Sequence, residues 1–148
     1  MVEAIRKTIA VFRTAASSSD EEAYRQLVSQ GVEAPVAARL VEFVPMVYCR
    51  LLLEKSGVRF PNTFRRKTPS GEISPEREFS SDPVWNEIVS FAQNEIKIGV
   101  SPADLLATAG RSADFDAVNQ LLRKGAILKD VVLTSPILLW PETVKDGM

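Results

Sequence analysis

The chain has 148 residues, a formal net charge of -1, one cysteine and no histidine. A length in this range fits a single globular domain spanning 1–148 that can bury a sizeable core, and the near-neutral charge gives no long-range pull toward nucleic acid or an anionic membrane. Without histidine, and with Cys49 as the only thiol, a structural zinc site cannot be assembled from one chain, and neither a disulfide framework nor imidazole acid–base chemistry is available.

The first residues, Met1 to Lys7, scatter charges through the opening turns, so they do not read as a signal peptide. Val2, Ile5, Ile9 and Phe12 recur at three- and four-residue steps, with Glu3, Arg6, Lys7 and Arg13 on the other side, which predicts an amphipathic helix. Ser18 or Ser19, followed three residues later by Glu21 or Glu22, offers a capping box for a second helix. That helix carries Tyr24, Leu27 and Val28 and ends near Gly31.

Pro35 suits a first helical turn, and the apolar run through Leu53 predicts a central helix at about 35–55. Apolar side chains cover most of its circumference and leave a narrow wedge of Arg39, Glu42 and Arg50, so other elements must pack around it on several sides. Pro45 lies inside this run. It cannot donate to the carbonyl of Val41, which predicts a kink, or two helices meeting near Val44.

Helical periodicity then stops. Residues at about 58–75 contain Arg59, Phe60, Phe64, Arg65, Arg66 and Lys67 and then Pro69-Ser70-Gly71, which reads as a short hairpin or ordered loop. Three further helices carry start signals of one kind, a capping side chain before the first turn: Ser81 or Asp82 with Pro83, Ser101 with Pro102, and Ser112. They run to Gly99, Gly110 and Gly125. The tail, Val131 to Trp140, is apolar but interrupted by prolines, and reads as extended chain packed on the bundle. The fold class expected is a mainly α, irregular helical bundle around the central helix; the alternative is α+β with a small antiparallel sheet.

Acids such as Asp104, Asp114 and Asp116 fall near helix starts, where they favour the macrodipole, so no metal site and no cofactor is expected. Cys49, deep in the apolar run, reads as a core thiol. Glu42 is placed to pair with Arg39 at i,i+3 on the rim of the core; Glu42, Arg39, Arg50 and Tyr48 are the candidate catalytic set if the Pro45 region opens a pocket. Glycines are dispersed as caps and turns, with no phosphate-binding loop.

Arg59, Phe64, Arg65, Arg66 and Lys67 form the candidate partner-binding segment. Glu72, Glu76 and Glu78 follow closely and would partly neutralise the bases across a hairpin. The functional expectation is a protein-binding module, of the inhibitor or immunity type known from bacteria, that neutralises or scaffolds a partner protein in the cytoplasm. The alternatives are a small metal-independent enzyme using Glu, Arg and Tyr chemistry beside Pro45, and a weak nucleic-acid binder through 59–67. A membrane partner is not expected; a homo-oligomer closed through the tail around Trp140 is left open.

Overall fold

A computed structural model of the protein describes residues 1–14 and 19–139, with Leu139 described by its backbone alone. Six α-helices appear among the described residues: α1 (Val2–Arg13), α2 (Asp20–Ser29), α3 (Ala34–Glu54), α4 (Pro83–Ile98), α5 (Pro102–Ala109) and α6 (Ala113–Arg123). Three short strands, β1 (Thr63–Lys67), β2 (Arg77–Glu78) and β3 (Ile137–Leu139), complete a mainly α fold with a small sheet.

Local chemistry sets the helix starts. The Ser19 hydroxyl accepts from the Glu22 amide, Asp82 from Val84, Ser101 from Asp104 and Ser112 from Asp114, so each helix satisfies one of its otherwise unpaired N–H groups. Ser19 is therefore the cap of α2; Ser18 lies outside the described residues. Gly99 closes α4 in the left-handed conformation at φ 86°.

Every residue from Phe43 to Arg50 is buried, and α1, α2, α4, α5 and α6 all pack on α3. The helix continues across Pro45 as one 21-residue element instead of dividing near Val44. Burial on all sides offsets the hydrogen bond that Pro45 denies to the Val41 carbonyl.

The sheet has the order β2-β1-β3. β1 and β2 form the expected hairpin, antiparallel, with Thr63 opposite Glu78 and Phe64 opposite Arg77. Its turn is closed by the Gly71 amide donating to the Thr68 carbonyl, with Gly71 at φ 93°. β3 adds on the other edge in parallel, with Arg65 opposite Ile137 and Lys67 opposite Leu139. The sheet is therefore mixed and not antiparallel, because the tail returns alongside β1 in the same direction. Residues 15–18 and 140–148, including Trp140, lie outside the described residues.

Aromatic rings join sheet and helices. Phe79 stacks on Trp85 with centroids 4.2 Å apart and on Phe64 at 4.6 Å, while Phe43 of α3 meets Trp85 edge-on at 5.3 Å. Pairs of this geometry add about 0.5–1.5 kcal/mol each beyond the area they bury. They hold the hairpin against the middle of α3. A smaller cluster of Val58, Val118 and Val131 ties α6 to the segment that follows α3. Among the described residues no helix is long and apolar enough to cross a membrane.

Candidate functional site

β1 divides its side chains between two faces, as the period of two in any strand requires. Phe64 turns inward and is buried. Arg66, two residues on, shares that face and reaches α3, where its guanidinium forms a forked pair with Glu42; one of the two bonds, from Nη1 to Oε2, is 3.2 Å long. The same guanidinium lies 5.7 Å from the Phe64 centroid and 5.9 Å from that of Phe43. Arg65 and Lys67 take the opposite, outward face. Arg59, exposed, lies earlier on the same ribbon, bridged in parallel to Val132.

The five residues expected to bind a partner therefore separate. Phe64 is a core residue and Arg66 a tether to α3, so neither presents itself to a partner. Arg59, Arg65 and Lys67 form no ion pair with any described residue. Arg65 Nε is buried without a hydrogen-bond partner. The acids expected to neutralise this segment do not reach it, because the hairpin register sets Ile73 opposite Lys67 and Glu78 opposite Thr63. Val132 and Ile137, the exposed aliphatic side chains of the neighbouring segment, flank the cations.

The four candidate catalytic residues are distributed differently from the expectation. Glu42 pairs with Arg66, not with Arg39, whose Nε instead lies 4.0 Å from Asp82 Oδ2 at the start of α4. Burial pushes the Glu42 carboxyl above its ordinary value, against the opposing pull of Arg66. Tyr48 points to another side of α3 and donates its hydroxyl to Glu95 Oε1. Burial, and then the hydrogen bond it donates to Glu95, raise its phenol far above the usual range.

Arg50 packs its guanidinium 4.4 Å from the Phe79 centroid and 5.4 Å from that of Trp85, and donates from Nη1 to the Pro61 carbonyl at 2.7 Å. Its Nε lies 3.9 Å from Asp114 Oδ2, and both atoms are buried without a hydrogen-bond partner. Desolvation lowers the Arg50 pKa and raises that of Asp114; for each, the attraction of the other offsets only part of the cost. Cys49 beside it is fully buried, its thiol pushed up to about 12, chiefly by desolvation. At that value the thiolate needed for nucleophilic attack is scarce near neutral pH.

A fourth arginine–carboxylate contact lies outside the residues that the sequence pattern points to. Arg13 at the end of α1 forks onto Glu95 of α4, with Nη2 2.8 Å from Oε1 and Nη1 3.1 Å from Oε2, and donates from Nε to the Thr108 hydroxyl of α5 at 3.0 Å. With Tyr48 it joins four helices. The hydrogen bonds from Arg13 and Tyr48 hold the Glu95 carboxyl below its ordinary value, despite the opposing effect of burial. One signal for it was present in the sequence: Glu95 follows Ala92 by three on the apolar stripe of α4, where an acid needs a partner.

Among the described residues no group of three or more Cys, Asp or Glu side chains gathers as a cation site. No protein-family model, curated protein or solved structure matches the chain.

Proposed function

We propose that this protein is a protein-binding module of the inhibitor or immunity type, a rigid helical body that neutralises or scaffolds a partner through the outward face of its β1–β3 ribbon. The observation that carries this reading is the division of β1: Phe64 and Arg66 lock the strand to α3, while exposed Arg59 and Lys67 and half-buried Arg65 lie on the other side with no ion pair to any described residue. A held backbone with free cations loses little conformational entropy when a partner binds, which is what preorganised recognition requires. A reducing cytoplasm suits the single buried thiol.

The enzyme reading has less support. Glu42, Tyr48 and Arg50 leave α3 in separate directions and each is engaged by a different internal partner, so they do not converge on a common reacting atom.

The test is affinity capture from native extract with the full chain and with the triple variant R59E/R65E/K67E. Arg59 and Lys67 are exposed, where such changes leave stability within about 0.5 kcal/mol, whereas Arg65 is half-buried; the double variant R59E/K67E, with unchanged helicity and melting, therefore serves as the folding control beside the triple variant. A protein retained by the parent and lost from the triple variant is the expected result. Identical retention by both refutes a role for this face.

A further inference from the structure

Resting on the reading above, we infer that the partner element is an acidic, extended polypeptide segment that docks as a fourth strand on the outer edge of β3. The argument starts from the hydrogen-bond phase of the ribbon. In a parallel ladder one residue of each bridged pair bonds to both neighbours of its opposite number, which itself points its N–H and C=O the other way. The Arg65 amide donates to the Pro136 carbonyl at 3.0 Å while Arg65 is bridged to Ile137, so Arg65 is the bonded member. The N–H and C=O of Ile137, and of Leu139 two residues on, are thereby directed to the far edge of β3. Among the described residues no strand pairs with that edge.

An unpaired edge of this kind is the template used in strand addition, where main-chain bonds supply affinity and side chains supply selectivity. The selectivity here is electrostatic. Arg65 lies opposite Ile137 and Lys67 opposite Leu139, so both cations share the outward face at the positions an added strand would cross. An added strand would run roughly 9–10 Å from β1, two strand spacings away, a gap that a long basic side chain and a glutamate can close together. Among the described residues neither cation has a carboxylate partner to give up. Ile137, about half exposed at 44%, supplies an apolar contact for alternate residues of the incoming strand.

The experiment uses the full chain labelled with 15N and, as probe, a capped decapeptide alternating Glu and Val. The same peptide N-methylated at alternate amides, an alternating Lys–Val decapeptide and a single-stranded oligonucleotide are the comparison arms. The Glu–Val peptide is expected to shift the amide resonances of Ile137 and Leu139. N-methylation, or the R65E/K67E substitution, is expected to weaken binding by about tenfold or more. Equal binding of the methylated peptide, unshifted Ile137 and Leu139 amides, or no binding at about 1 mM peptide overturns the inference. Tighter binding of the oligonucleotide at the same residues overturns it too. Shifts confined to the Arg59, Arg65 and Lys67 side chains would end strand addition while leaving the broader protein-binding reading intact, and loss of both would end both.

Discussion

Replacing Tyr48 by Phe tests whether the Arg13–Glu95–Tyr48 contact holds the bundle together. The ring stays and only the hydroxyl goes, so its place in the core is kept while the bond donated to Glu95 is lost. A hydrogen bond to a charged group contributes about 1.5–3 kcal/mol. Replacing Glu95 by Gln removes the counter-charge of Arg13; a broken buried pair costs about 3–5 kcal/mol, and side-chain exposures of 17% and 13% place this pair toward the lower end. Because both changes act on one carboxylate, the double variant should cost less than the two single costs together, by about 1 kcal/mol. Urea unfolding at neutral pH reads this directly: with a slope of about 1–3 kcal/mol per molar, Y48F moves the midpoint down by roughly 1 M. The pH dependence supplies a second readout. Glu95 is held below its ordinary value in the folded state, so its stabilisation is present above the unfolded carboxyl pKa and is lost as pH falls through the folded one. The gap between parent and E95Q should therefore narrow on acidification. A midpoint unchanged in Y48F, or strictly additive costs in the double variant, would refute the reasoning.

Three further outcomes can be checked by the same unfolding measurements and by hydrogen exchange. Gly57→Ala should destabilise more than Gly31→Ala: both glycines have positive φ, but a Cβ at Gly57 meets Lys129 Cα at 2.9 Å whereas one at Gly31 meets open space, and equal melting shifts would contradict this. Arg50→Met should cost about 3 kcal/mol, since it leaves Asp114 and the Pro61 carbonyl unpartnered, while Asp114→Asn should cost about 1 kcal/mol or less because the pair it breaks is 3.9 Å apart and unbonded. Asp114 has a raised folded pKa, so its penalty is present at neutral pH and relieved as pH falls toward its unfolded value; D114N should compare best with the parent at neutral pH and worse in acid. Glu42→Gln should speed amide exchange in β1 by about tenfold and leave α1 and α2 unchanged, and uniform exchange across the protein would show that the Arg66 pair is not the tether.

What could be read in advance was local. Ser101 and Ser112 cap helices through amides two or three residues away, and the stripe Trp85, Ile88, Ala92 is carried within one element, so neither depends on the rest of the fold. The pairing of β1 with β3 joins residues 72 apart, Arg65 with Ile137, and no feature within either segment specifies the other. The partners of the charged wedge were hidden for the same reason. Arg39 could be matched to Glu42 by helical spacing, but its actual carboxylate, Asp82, lies 43 residues later in the chain, at the cap of α4.

The strand itself shows a subtler limit. Thr63-Phe64-Arg65-Arg66-Lys67 carries a period of two that puts Phe64 and Arg66 on one face and Arg65 and Lys67 on the other, yet its three consecutive cations mask the alternation when they are read as a single patch. Burying Phe64 carries Arg66 inward with it. Arg66 then requires a carboxylate, and Glu42 meets that need at the cost of being unavailable to Arg39 or to a substrate. The same geometry forces Arg65 and Lys67 outward, with Ile73 rather than an acid opposite Lys67. Anchoring and display are thus two consequences of one register: a one-residue slip of β1 would bury Arg65 and Lys67, expose Phe64, and remove both the tether and the proposed binding face together.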